Sequence, residues 1–124
     1  MDAALALLSG LLVFASSGDT LDPYRWQARP ILVFAQEGDP RLTAQIEAFA
    51  EVRDGLRERR NLVVVDINAA SALRARFSPD GFTVVLVGLD GGEKARETGV
   101  VPGDVFAGRI DAMPMRRREL DTQR

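Results

Sequence analysis

The chain has 124 residues, 46% of them hydrophobic and 27% charged, with a formal net charge of −2. Such a composition suits one ordinary globular domain and excludes collagen-like, disordered and polytopic membrane classes. There is no cysteine and no histidine, so thiol redox chemistry, disulfides, thiolate metal sites and imidazole general bases are closed to it.

Near-balanced charge provides no field of one sign to draw in nucleic acid. All but one of the basic residues are Arg, Lys94 being the exception, a bias that a GC-rich coding sequence produces.

Residues 3–15 (AALALLSGLLVFA) carry no charge. A membrane-crossing helix needs about 20 apolar residues, so this run is short for an anchor and fits the apolar region of an export signal. Ala15, Ser16, Ser17 and Gly18 supply the small residues of a cleavage site. Residues 1–17 are therefore expected to be a signal peptide, although Asp2 stands where a base is usual. An uncleaved anchor and a buried helix of the fold are the other two readings. Cleavage would leave no membrane span and would place the protein in the periplasm or outside the cell.

Residues 18–29 read as a polar leader carrying Tyr24 and Trp26, and residues 30–114 as the folded domain. Ile31, Leu32, Val33 and Phe34 form a first strand, apolar at every position as in a sheet covered on both faces. Asp39 caps a helix and Pro40 fits its first turn. Leu42, Ile46, Phe49, Val52 and Leu56 then recur at three- and four-residue steps, which predicts one helix over residues 40–59, weakened at Gly55.

Leu62, Val63, Val64, Val65 and Ile67 give a second strand, joined to the first by a right-handed crossover. Asn68 opens a short helix ending at Phe77. After a turn at Ser78-Pro79-Asp80-Gly81, residues 82–87 form a third strand. Asp90-Gly91-Gly92 is a hairpin signal that returns residues 93–97 antiparallel. Pro102 opens a last helix with Val105, Phe106, Ile110 and Met113 on its apolar face. Pro114 is expected to end that helix, leaving residues 115–124 as a charged tail.

The order is β-α-β-α-β-β-α. It predicts an α/β, thioredoxin-like fold with a four-stranded mixed sheet. The 93–97 strand lies at one edge, then 82–87, then the first strand, then the second. The long helix and the last helix share one face.

Several segments resemble a bacterial family of small exported proteins of unknown function, whose domain also occurs at the C-terminus of animal sushi-repeat and extracellular-matrix proteins. The resemblance rests on Arg25-Trp26, Arg29-Pro30, Leu32-Val33-Phe34-Ala35 and Asp39-Pro40-Arg41-Leu42. It continues through Leu73-Arg74-Ala75-Arg76-Phe77, Asp80-Gly81-Phe82, Val84-Val85-Leu86-Val87-Gly88 and Asp90-Gly91-Gly92. Its most specific part is Met113-Pro114-Met115-Arg116-Arg117-Arg118-Glu119. It implies a thioredoxin-like fold and export, and it implies no catalytic residue.

Thioredoxins carry redox cysteines in the loop between the first strand and the long helix. Here that loop reads Gln36-Glu37-Gly38-Asp39-Pro40-Arg41, and without a thiolate no disulfide exchange can occur there. Glu37, Asp39 and Arg41, with Gly81 and Phe82 across the sheet end, become candidate partner-binding residues. Arg116, Arg117 and Arg118 are a second candidate group, able to dock on an acidic partner or anionic lipid. The alternative for them is a solvated tail.

Tyr24, Arg25, Trp26 and Arg29 suit either an aromatic-and-Arg recognition patch or a plug in which Trp26 closes one end of the sheet. Met113 and Met115 suit core packing better than Cu(I) ligation. Ser71 or Ser78 with Lys94 would be needed for serine hydrolysis. Asp66, Asp80 and Asp90 near strand ends would be needed for a hard cation. Neither spacing matches a known site, and no cofactor is implied. The expected function is a redox-inactive binding or accessory domain whose partner is a protein or a cell-envelope component. The competing readings are a residual oxidoreductase using a bound cofactor and a membrane-tethered accessory protein.

Overall fold

The computed structural model describes residues 6–122. Residues 1–5, at the head of the expected signal, and residues 123–124, at the end of the expected tail, lie outside the described residues. The elements are β1 (Leu12–Phe14), a 3-10 turn (Asp22–Tyr24), β2 (Arg29–Phe34), α1 (Pro40–Ala50), α2 (Arg53–Glu58), β3 (Asn61–Asp66), α3 (Ala72–Phe77), β4 (Thr83–Val87), β5 (Glu93–Glu97), α4 (Gly103–Asp111) and α5 (Pro114–Thr122).

The sheet order is β1-β3-β2-β4-β5. β2 and β3 are parallel, and β4 is antiparallel to β2, with Ile31 opposite Leu86 and Phe34 opposite Thr83. The unbroken apolar runs are explained by burial on both faces. Ile31, Val33, Val63, Val65, Val84 and Leu86 point into one core with α1 and α4. Their alternates Leu32, Phe34, Val64, Val85 and Val87 point into a second core under α3. This is the period-2 alternation of a pleated strand. As expected, the long helix and α4 share a face, where Phe49 stacks on Phe106 at 6.1 Å between ring centroids.

Four expectations are corrected. The sheet has five strands, not four: Leu12–Phe14, assigned from sequence to the export signal, pairs parallel with Val63–Val65. Leu8 and Leu11 beside it are buried in the first core. A run of Leu, Val and Phe satisfies a strand edge as readily as an export signal, because both ask only for apolar residues.

The helix over residues 40–59 is two helices. It breaks at Val52, not at Gly55. There Gly103 comes so close that a Cβ on it would collide with Val52 Cγ2 and would lie 2.8 Å from the Ala48 carbonyl oxygen.

Next, the helix opened at Pro102 ends before Pro114, at Asp111, but Pro114 is not followed by a tail. It begins α5, because proline lacks only an N–H that the first turn of a helix leaves unbonded. The expected charged tail is therefore largely helix. The third helix also starts later than expected, at Ala72, where the Ser71 side chain accepts from Arg74 N.

Candidate functional site

β2 and β3 run side by side, so their last residues meet at one end of the sheet. Beyond β2, Gln36, Glu37 and Gly38 form an exposed turn, with Gly38 at φ +82, a conformation that favours glycine. Asp39 then caps α1, its carboxylate accepting from Arg41 N at 2.9 Å. The same carboxylate takes both Nε and Nη2 of Arg41, at 3.1 and 2.8 Å. The Arg41 guanidinium lies 5.0 Å from the centroid of the Phe82 ring. The carboxyl of Asp39 is thereby held below its ordinary pKa, first by the Arg41 side chain and then by its backbone N–H.

The sequence thus placed Asp39, Arg41 and Phe82 together, and the structure joins them into a latch. Burial sorts the rest of the group. Phe82 is buried beneath Arg41, so it supports the guanidinium instead of facing solvent. Glu37 and Gly81 are exposed beside it.

Behind the latch is a polar centre that sequence reasoning missed. Asp66, fully buried at the end of β3, accepts from the Ser71 hydroxyl and from Asn68 N. Arg74 donates to the carbonyls of Asn68, Asp66 and Ala35. It ties the loop after β2 to the loop after β3. Only the placing of Asp66 at a strand end and Ser71 a few residues on, both ahead of a helix, hinted at this.

The other predicted groups lie elsewhere. Asp90 and Lys94 pair with each other at 2.8 Å at the opposite end of the sheet, far from Asp66, Ser71 and Ser78. Neither the serine–lysine site nor the three-carboxylate site is assembled. Among the described residues, no three His, Cys, Asp or Glu side chains gather as metal ligands. Met113 packs against the first core, and with Met115, Pro114 and Leu89 it lines a cavity of about 210 Å³.

Arg116 is a correction within the second candidate group: it is 1% exposed and cannot reach a partner. Its Nε donates to Asp111 at 3.1 Å, its Nη1 to Glu119 at 3.2 Å and its Nη2 to Glu58 at 2.9 Å. Arg29, equally buried, holds Glu119 through both Nη atoms, and Arg59 holds Asp111 at 2.9 and 2.7 Å. These bonds fasten α5 across the start of β2. Burial opposes the charge of Arg116, but its three carboxylate partners outweigh that and raise its pKa. Arg117 and Arg118 remain exposed on α5. Trp26 is also corrected: at 52% exposure it plugs nothing.

Residues 20–119 match the family described as "Domain of unknown function (DUF4174)". The chain belongs to that family. The match begins after β1, so the family's portion of the sheet is the four strands β2–β5. No curated protein matches the chain.

Solved structures are similar to it in fold. An uncharacterised thioredoxin-like protein from Clostridium perfringens superposes with a TM-score of 0.64 at 11% identity, over 83% of this chain and 80% of that one. A mutant thioredoxin from Halobacterium salinarum gives 0.60 at 19% identity, over 82% and 88%. Thioredoxin-2, a component of the malaria parasite's protein secretion machinery, gives 0.57 at 18%, over 69% and 84%. This DUF4174 chain therefore has a thioredoxin-like α/β fold. No helix among its described residues is long and apolar enough to cross a membrane.

Proposed function

We propose that this chain is a redox-inactive, thioredoxin-like binding or accessory domain, working in the periplasm or outside the cell on a protein or envelope component. The observation that carries the reading is the Asp39–Arg41–Phe82 latch. In a chain without cysteine, it occupies the sheet end where thioredoxins hold their reactive thiols. What remains there is a preformed surface: an exposed turn at Glu37, a guanidinium half in solvent and a buried aromatic holding it in place. Such a surface recognises and positions; it offers no nucleophile.

Export is supported by a family match that begins only at residue 20, which leaves the uncharged run and β1 outside the family's portion of the chain. Replacing Glu37, Asp39 and Arg41 together by alanine should abolish partner capture from the native envelope fraction while far-UV circular dichroism stays unchanged. Undiminished capture would place recognition elsewhere. The intact mass of the protein recovered from its host tests the location, since an export signal removed after Ala15 or Ser17 shortens the chain by a defined mass.

A further inference from the structure

We propose that the start end of the sheet, opposite the latch, is a docking surface for an acidic peptide segment, anchored on Trp26 with Arg25 and Arg60 beside it. This goes beyond the function proposed above and does not depend on it. The two ends are separated by the six residues of β2, roughly 20 Å at about 3.3 Å per residue.

Backbone conformation supplies the first observation. Among the described residues, three that are not glycine have positive φ, and two of them are Trp26 at 65° and Arg60 at 62°. An L-residue with a bulky side chain is strained there, and such strain persists only where the surroundings enforce it. The surroundings do. Trp26 N donates to the Leu89 carbonyl at 2.6 Å, Gln27 N and Ala28 N both donate to the Tyr24 carbonyl at 2.8 Å, and Arg29 N donates to the Arg60 carbonyl at 2.8 Å. The two strained residues are also joined to each other, Arg60 Nη2 donating to the Trp26 carbonyl at 3.1 Å.

Side-chain exposure is the second observation. Glycine would adopt φ 65° without strain and keep both backbone bonds of Trp26. A tryptophan placed there leaves 52% of its surface in water, so neither backbone geometry nor burial accounts for it. Tryptophan and arginine are the residues that anchor interfaces, because a rigid indole covers much area at little entropic cost.

Charge identifies the occupant. The Arg25 guanidinium rests 5.4 Å from the indole centroid and has no carboxylate partner among the described residues. Arg60 is 42% exposed and reaches Glu119 only at 3.7 Å, a carboxylate already shared by Arg29 and Arg116. The Arg25 guanidinium beside an exposed indole, with the half-exposed Arg60 tied to the Trp26 carbonyl, fits a carboxylate next to an apolar residue. An anionic lipid surface fits less well. Glu58, Asp22 and Asp90 around the same end confine the positive spot to Arg25 and Arg60, which is too small for an extended anionic surface and matches a single carboxylate-bearing segment, and a chain of net charge −2 has no wider field to hold it on a membrane.

Trp26 is the only tryptophan of the chain, so its fluorescence reports on this site alone. A random dodecapeptide library should be panned on the full chain and counter-selected on Trp26→Gly. Expected are peptides rich in Asp and Glu that blue-shift the Trp26 emission. Their affinity should fall about tenfold or more in Arg25→Gln/Arg60→Gln. Trp26→Gly itself should melt at a higher temperature than the parent chain, since it relieves the strain.

The proposal is overturned by any of four outcomes: no enrichment over the counter-selection, selection of basic peptides, a blue shift with phosphatidylglycerol vesicles but not with the peptides, or a lower melting temperature for Trp26→Gly. The last would make the indole a structural element.

Discussion

The two ends of the sheet handle charge in opposite ways. At the finish end, Asp39 and Arg41 are two residues apart and bond each other across one helix start, with the guanidinium half in solvent. At the start end, Arg29 and Arg116 are buried, and their carboxylates arrive from three separate places: Glu58 on α2, Asp111 on α4 and Glu119 on α5. The first pair is a local device that shapes a loop. The second is a tertiary lock that holds the last helix on the domain. Water reaches the guanidinium of the first but not those of the second, so geometrically similar bonds carry different energetic weight.

The largest expected effect follows from that difference. Arg116→Ala should remove about 2–4 kcal/mol of stability, because three charge-assisted hydrogen bonds and a large buried side chain are lost together, although Arg29 still holds Glu119 and Arg59 still holds Asp111. Urea denaturation of the full chain measures it, and a loss no larger than that of Arg41→Ala would break the contrast between the ends. Glu119→Gln should cost less, about 1–3 kcal/mol, since Asp111 and Glu58 still accept from Arg116 and the amide oxygen still accepts from Arg29.

Acid should expose the same contrast. Glu119 is pushed up by burial, but the hydrogen bonds from Arg29 and Arg116 outweigh this and leave its pKa below the ordinary 4.5. Asp111 is held below 3.8, chiefly by Arg59. Carboxylates whose folded pKa is lowered contribute stability that is complete above their unfolded values and is lost as the pH falls through the folded ones. The urea midpoint should therefore be flat above about pH 5 and decline below it. Glu119→Gln should flatten that decline more than Asp39→Asn does. In about 0.5 M NaCl any contribution of the Asp39–Arg41 pair should disappear while that of Arg116 persists. The smallest effect expected is that of Arg41→Ala, which should leave the urea midpoint unmoved at neutral pH.

The edges of the sheet repeat the lesson about what a sequence reveals. β5 reads Glu-Lys-Ala-Arg-Glu, and its charges protect an open edge. It was legible from the Asp90-Gly91-Gly92 turn to the last residue. β1 at the other edge was not legible, because Leu12-Val13-Phe14 sits in a run whose composition serves an export signal equally well. The candidate site divides in the same way. Asp39, Arg41 and Phe82 could be placed together because a helix cap and a strand start fix them to one sheet end. The burial of Arg116 could not be foreseen, and the exposure of Trp26 could not be chosen over its burial as a plug, since both invert the usual rule for their side chains.

Whatever depends on neighbours within a few residues could be read along the chain: the doubly buried strands, the helix starts at Pro40 and Gly103, the hairpin, and the absence of a thiol from the loop after β2. Contacts between distant segments settled the rest. They packed Gly103 against the break at Val52, made Pro114 the start of a further helix as well as the limit of the one before it, and buried Arg29 and Arg116. The reason is that solvation, unlike periodicity, is a property of the whole assembled surface: a guanidinium can leave water only when carboxylates from distant segments arrive to receive it.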